Sequence, residues 1–285
     1  MNERQGFKFV AVFLNMAWFA VFVLVPGLMV VGISFMTRDI DTFFDLPITL
    51  AQYRELLDPV YARVLSQSFL YALNTTLLCL FISYPFAWML SRSPEHRRPL
   101  LLIMVIIPFW TSSLIRTYAL VILMKANGII NTLLMNTGIV SEPVSLLYTD
   151  FAVYVGLVYS LLPFMVLPLY AVMEKMDIRL MEAARDLGAT GFQVFFRVVL
   201  PLSLPGVMAG CIMVFLPAMG LFYVPDLLGG AKTMLMGNFI KNQFLTAMNW
   251  PFGSAASVFL LLVMGLMLIV YFILSRRFNR YQQPL

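Results

Sequence analysis

The feature that most constrains this chain is an apolar run near its start. Residues 9–35 contain only Asn15 and Ser34 as polar interruptions. At about 1.5 Å per residue, a helix of this length would be longer than the roughly 30 Å hydrocarbon core of a bilayer. A signal peptide has a shorter apolar core and a small-residue cleavage site, so we expect an uncleaved membrane-spanning helix.

Composition extends this interpretation to the whole chain, because 61% of the 285 residues are hydrophobic and only 12% are charged. So few charges leave no large soluble domain, and the expected fold class is an all-α membrane protein with six transmembrane helices. The expected domains are 1–65 (first helix and an outside loop), 66–274 (a core of five helices) and 275–285 (a basic tail). The five later spans are predicted at 66–90, 100–124, 151–173, 204–224 and 254–274.

Charge predicts the orientation of these spans. Twelve of the 19 lysines and arginines fall on the termini and on the two loops that share their side. Cytoplasmic segments carry an excess of lysine and arginine, so the sequence predicts that both termini are cytoplasmic. The loop at 177–201 would lie on the same side.

That loop is a polar interruption with the pattern of two short helices. In the first, apolar residues recur at helical spacing, Asp177 is a plausible N-cap and Gly188 is a plausible left-handed residue after the helix. In the second, Thr190 and Gln193 form a capping-box pattern. The pattern fits either a docking surface for a partner or an ordinary solvated loop. The expected apolar faces are Leu180, Ala183, Ala184 and Leu187 in the first helix and Phe192, Phe195, Phe196 and Val199 in the second.

The spacing within the loop adds a family resemblance. Glu-Ala-Ala, three residues, Gly188, nine residues, Val198, one residue and Leu-Pro resembles the EAA motif of type I, binding-protein-dependent ABC importer permeases. Only Val198 departs from the consensus, where isoleucine is usual. The resemblance implies the type I permease fold and a loop that docks into an ATP-hydrolysing subunit. The implied coupling residues are Glu182, Ala183, Ala184, Asp186, Gly188, Leu200 and Pro201.

Longer segments narrow the resemblance. PFWTSSLIRTY (108–118), LLPFMVLPLY (161–170), LPAMGLFYVPDLLGGAK (216–232) and NWPFGSA (249–255) are similar to B-type permease subunits of bacterial spermidine/putrescine importers. This implies a multi-pass chain of the bacterial inner membrane and a polyamine substrate. The implied partners are a second homologous permease, two copies of an ABC ATP-binding subunit and a periplasmic polyamine-binding protein. ATP and magnesium would be bound by the ATPase partner, and this chain would hold no cofactor or metal.

A pathway for a polycation should offer carboxylates and aromatic faces. Tyr223 and Asp226 follow the fifth span and are candidates for its outer part, although a loop cap and an interfacial tyrosine would give the same pattern. The further candidates are Trp110, Tyr118 and Tyr159. Arg116 would repel a polyamine, so it is expected either to snorkel toward the outer surface or to pair with an acidic group of a partner. Prolines at 108, 163, 168 and 217 fit either unwound helices that line a pathway or kinks buried between helices.

The sequence gives less support to other functional classes. His96 is the only histidine, and the sequence has neither an HExxH zinc pattern nor a GxxxxGK phosphate loop, so we expect no catalytic activity in this chain. Cys79 and Cys211 lie in apolar runs, where cysteine behaves as a small hydrophobe. The spans lack the acidic residues common in secondary transporters. The alternatives that stay open are a permease for another small solute, such as an amino acid or opine, and, less favoured, a secondary transporter.

Overall fold

The computed structural model describes residues 12–39, 43–230 and 233–280. Within these residues, six helical segments are long and apolar enough to cross a membrane. The predicted all-α, six-span fold is confirmed. The helices are α1 (Val12–Ile33), α2 (Ala51–Leu56), α3 (Pro59–Arg92), α4 (Arg98–Ile106), α5 (Ser113–Met124), α6 (Ile129–Asn136), α7 (Asp150–Met173), α8 (Ile178–Asp186), α9 (Gly191–Gly220), α10 (Met236–Leu245) and α11 (Trp250–Arg280).

The third predicted span is not a continuous helix. Helix α4 runs into a 3₁₀ turn at Ile107–Trp110, Thr111 is extended, and α5 begins at Ser113. Pro108 lies in this turn, and the Thr111 hydroxyl donates to the Pro108 carbonyl at 2.8 Å, which provides a partner for a backbone group freed by the break. Pro108 therefore lies at an interruption of the helix.

The fourth span shows the opposite outcome. Of the two outcomes that the sequence leaves open for Pro163 and Pro168, an unwound helix is not observed, because α7 is helical from Asp150 to Met173. Helix α9 packs closely against α7 at two glycines. A Cβ added at Gly206 or Gly210 of α9 would lie within 3.4 Å of the α7 backbone. Such close packing lets a membrane helix tolerate proline.

Three other spans begin earlier than predicted. Helix α3 starts at Pro59 rather than residue 66, and α11 starts at Trp250 rather than 254. The fifth span was expected to start at residue 204, but helix α9 already begins at Gly191. It continues across Pro201 and Pro205, with a π-helical segment at Phe195–Val199 directly before Pro201, and packed neighbours let a membrane helix tolerate proline.

The chain divides into two compact units. The described residues of 1–63 and 239–265 form one, in which the Phe43 and Trp250 rings stack with centroids 5.1 Å apart. The described residues of 64–238 and 266–280 form the other. Its centre is α7, which packs with the Pro225–Gly229 turn in a buried cluster of Met124, Ala152, Val153, Leu157, Val224 and Leu228.

Candidate functional site

The first helix of the polar loop, α8, begins and ends where its sequence predicts. The Asp177 carboxylate accepts a hydrogen bond from the Arg179 N–H at 2.9 Å, which makes it the N-cap. At the other end Gly188 has φ +83°. The Gly188 N–H donates to the Arg185 carbonyl at 2.8 Å, and the Ala189 N–H donates to the Ala184 carbonyl at 3.0 Å. This pair of bonds is a Schellman motif, which fixes the direction of the chain after the helix.

The apolar residues of α8 do not all share one buried face. Met181 is the residue that packs inward, against Val194 and Val199, and Ala184 is half-buried beside it. Leu180, Ala183 and Leu187 point outward, and Leu187 is 89% exposed. Three of the four residues of the predicted face are thus exposed, and Ala184 is half-buried because the helix turns Met181 to the protein. The outward residues form a small apolar surface, which we call the docking face (Leu180, Ala183 and Leu187). Glu182, Asp186 and Gly188 are exposed beside it.

The second helix of the loop is the start of α9. Its capping box is confirmed, with the Thr190 hydroxyl accepting from the Gln193 N–H and the Gln193 side chain accepting from the Thr190 N–H. Helix α9 continues through a π-helical segment at Phe195–Val199 into the fifth span. The half-buried Leu200 and Pro201 consequently lie inside this membrane helix, away from the docking face in the chain.

Arg92 ties the loop to α3, and Arg98 ties the start of α4 to the residue that follows α7. The Arg92 guanidinium lies 4.6 Å from the Trp88 ring centroid, and its Nη2 lies 3.8 Å from the Met181 sulfur. Arg98 forms an ion pair with Glu174 at 3.5 Å, just after α7. The loop is thus attached to the end of α3 through the contact of Arg92 with Met181.

Of the proposed pathway residues in the third and fourth spans, Tyr159 lies beside Arg116. Its guanidinium carbon lies 4.8 Å from the Phe109 ring centroid and 5.7 Å from that of Tyr159. The side chain reaches back toward Phe109, which precedes α5, and not forward toward the end of the span at Met124. This geometry contradicts the snorkelling alternative. Trp110, at the end of the 3₁₀ turn, and Tyr118, in α5, are both exposed.

The other two proposed pathway residues lie at the end of the fifth span. Tyr223 packs against the buried cluster of α7, and Asp226 lies in the Pro225–Gly229 turn. Buried Asn238 donates through its side-chain amide to the Asp226 carboxylate and, at 3.0 Å, to the Phe222 carbonyl. Asp226 is therefore held in place by a partner that the sequence did not suggest.

One cluster of four polar side chains was not predicted from the sequence. The Tyr71 hydroxyl donates to the Asp150 carboxylate at 2.5 Å, and the Asn74 amide donates to the Tyr154 hydroxyl at 3.0 Å. The Tyr71 and Tyr154 rings stack with centroids 4.8 Å apart and planes 13° apart. The spacing of Tyr71 and Asn74, and of Asp150 and Tyr154, is that of neighbours on one helix face, which is a signal but not a strong one. We call these four residues the tyrosine–aspartate cluster.

Comparison with known proteins decides the family. The model of the family described as "Binding-protein-dependent transport system inner membrane component" matches residues 60–284. The chain belongs to this family. It is therefore an inner-membrane permease component, and the six spans fit a multi-pass protein of that membrane.

Individual relatives agree with this family assignment. The chain is 52% identical to the spermidine/putrescine transport system permease protein PotB of Haemophilus influenzae, over 97% of each chain. It is 53% identical to PotB of Escherichia coli, over 92% of this chain and 96% of the relative. In the solved structure of a bacterial alginate ABC transporter with its periplasmic protein, one chain matches with a TM-score of 0.79 at 17% identity, over 96% of each chain. The structural match shows the permease fold alone.

Proposed function

We propose that this chain forms half of the translocation pore of an ATP-driven importer of spermidine and putrescine. The observation that carries the proposal is the near-full-length identity of 52–53% to PotB proteins. The alginate transporter at 17% identity has the same fold, so the fold does not choose the substrate and only the close relatives favour polyamines.

In the proposed assembly, this chain pairs with a second homologous permease. Two copies of an ABC ATP-binding subunit bind ATP and magnesium and perform hydrolysis, and a periplasmic polyamine-binding protein delivers the substrate. This chain itself would carry no cofactor and no catalytic site. With the termini and α8 in the cytoplasm, the docking face would meet the ATP-binding subunit.

The docking face supports the coupling step. Leu180, Ala183 and Leu187 are apolar and outward on a helix whose two ends are capped. Small and apolar side chains let a partner surface approach closely, and exposed charges such as Glu182 suit the polar rim of an interface. Closure of the ATPase dimer would move α8, and the contacts of Met181 and Arg92 would pass that motion to α9 and α3.

The substrate step would use aromatic and acidic groups. We place Tyr223 and Asp226 in the outer part of the pathway and Trp110, Tyr118 and Tyr159 further along it. Aromatic faces attract cations through the ring quadrupole, and the carboxylate contributes charge. Arg116 is assigned to an interface rather than to substrate.

The test is purification of the tagged chain from membranes, identification of the copurifying subunits and an ATPase assay. We expect a second permease, an ATP-binding subunit, and hydrolysis stimulated by a spermidine-loaded binding protein. Stimulation only by a binding protein loaded with an amino acid or opine would keep the ABC mechanism and reject polyamines. Recovery of the chain alone, with uptake that persists without any ATPase subunit, would favour a secondary transporter.

A further inference from the structure

Within the unit formed by residues 64–238 and 266–280, the tyrosine–aspartate cluster has the composition of a site for an organic cation. It brings together one carboxylate, two parallel aromatic rings and one side-chain amide. These groups come from two different membrane helices, α3 and α7. Nothing in the sequence patterning or in the comparisons assigns a role to them.

The cluster is built on a rigid base. Tyr71 packs against the buried residues of the α7 cluster, which includes Ala152 and Val153 between Asp150 and Tyr154. The Thr149 hydroxyl caps the start of α7 by accepting from the Ala152 N–H at 3.3 Å. The positions of Asp150 and Tyr154 are thus set by a capped helix and a packed core, so little ordering is required when a ligand binds.

The same groups are open on their other side. Asp150 and Asn74 are exposed, and both tyrosines are half-buried. Among the described residues, Tyr71 makes the one hydrogen bond to the Asp150 carboxylate, and no lysine or arginine forms an ion pair with it. The negative charge is therefore balanced by a neutral hydroxyl rather than by a cation of the described chain.

The chemistry of these groups matches a primary alkylammonium. Such a group carries three N–H donors, and the cluster offers carboxylate oxygens and the Asn74 carbonyl oxygen, whose amide nitrogen is already used on Tyr154. Half-buried tyrosine rings add cation–π attraction, which strengthens as the cation loses water. A second feature is the position of Asp150 at the start of α7, where its charge also suits the helix dipole. That structural role is the competing explanation.

We propose that Tyr71, Asn74, Asp150 and Tyr154 bind a terminal ammonium group of a linear aliphatic polyamine. The proposal rests on the proposed function, since it names a substrate contact for that importer. The tyrosine rings form the wall along which the methylene chain lies, and Asp150 supplies the charge. The site shares helix α7 with the predicted pathway residue Tyr159, and Tyr223 packs on the same buried cluster.

The experiment measures spermidine uptake by the complete importer in proteoliposomes with spermidine-loaded binding protein, normalised to the amount of assembled complex. The variants are Asp150→Asn, Asp150→Glu and Tyr154→Phe. The matched control is Glu142→Gln, which removes an exposed carboxylate from the loop that precedes α7. We expect uptake per complex to fall about tenfold in Asp150→Asn, to return in large part in Asp150→Glu, and to stay unchanged in the control.

Tyr154→Phe keeps the ring and loses the hydroxyl that binds Asn74, so its loss should be smaller, about twofold to threefold. A purely structural role of Asp150 at the helix start predicts a lower thermal midpoint with unchanged uptake per complex, and this result would overturn the site. If Asp150→Asn lowers assembly of the complex, Tyr154→Ala tests the site instead. Unchanged uptake per complex in this variant, which lacks the ring face, would also overturn the proposed site.

The same experiment distinguishes failure of the proposed function from failure of the proposed binding site. Wild-type complex that takes up no spermidine contradicts the proposed function, whatever the variants do. Wild-type complex that takes up spermidine, with Asp150→Asn behaving as the Glu142→Gln control, keeps the function and rejects the tyrosine–aspartate cluster as its site.

Discussion

The N–H of Ala189 donates a hydrogen bond to the carbonyl of Ala184 at 3.0 Å, across a glycine with φ +83°. Both bonds of this Schellman motif depend on Gly188 holding the left-handed conformation, which costs a residue with a Cβ about 1 kcal/mol or more. The motif sets the angle at which the docking face of α8 is presented. Gly188 thus links a local backbone requirement to the proposed coupling.

Gly188→Ala should uncouple the permease from its ATPase while leaving the chain in the membrane. A Cβ at Gly188 would meet nothing within 4 Å, so the cost comes from the backbone alone. The control is Gly191→Ala, whose Cβ also meets nothing and whose φ is not left-handed. ATPase stimulation by the loaded binding protein should fall in the first variant only. Normal copurification and uptake in Gly188→Ala would count against the docking role.

Leu187→Asp should weaken recovery of the ATP-binding subunit without harming the fold. Leu187 is 89% exposed, so a carboxylate there loses little packing in this chain but would be desolvated against a partner. Leu57→Asp is the matched control, because Leu57 is 75% exposed and lies outside α8. Quantitative pull-down should show at least a fivefold loss for Leu187→Asp. Equal recovery of the ATPase with both variants would show that α8 is not buried in the complex.

The local parts of this fold were predictable from sequence, and the parts that depend on packing were not. The Asp177 cap, the Gly188 turn and the Thr190–Gln193 box each depend on residues within one helical turn, and all three are present. Local hydrogen bonds of this kind can be predicted from the sequence because they do not depend on residues that are distant in the chain.

The effect of each proline on its helix could not be predicted from local sequence. Pro108 accompanies a broken helix and Pro163 an intact one, although both lie in apolar runs. The difference lies in neighbours such as Gly206 and Gly210, which bring α9 against α7 from a distant part of the sequence. The tyrosine–aspartate cluster was missed for the same reason, since Tyr71 and Asp150 are 79 positions apart.

Arg116→Gln should weaken pairing with the second permease. The Arg116 Nε and Nη1 are buried and have no hydrogen-bond acceptor among the described residues, and two aromatic rings hold the guanidinium in place. A charge held so inside a span is expected to pair with an acceptor of a partner. Lys125→Gln, an exposed cation just after the same helix, is the control. Recovery of the second permease should fall only for Arg116→Gln, and equal recovery with raised thermal stability would contradict the interface role.

Gly156→Ala should destabilise the solubilised protein. The added Cβ would lie 2.3 Å from Leu228 Cδ1 and 2.8 Å from Val224 Cγ1, both in the buried cluster. Overpacking of this kind costs about 1–3 kcal/mol, which should lower the thermal midpoint by at least about 2 °C. Gly265→Ala, where nothing lies within 4 Å, should leave the midpoint unchanged or raise it. An unchanged midpoint in Gly156→Ala would mean that the Pro225–Gly229 turn packs less closely on α7.

Asp226→Asn should lower polyamine uptake more than it lowers stability. The substitution removes the charge but keeps the shape and an oxygen that accepts from Asn238, whose amide now binds Asp226. Loss of the attraction for a polycation should reduce uptake per complex by about threefold or more, while the thermal midpoint changes little. Asn238→Ala is the complementary control, since it keeps the carboxylate and removes its buried donor, so it should lower the midpoint more than the uptake. Unchanged uptake by Asp226→Asn at normal expression would remove Asp226 from the pathway and leave it as a support for the turn that packs on α7.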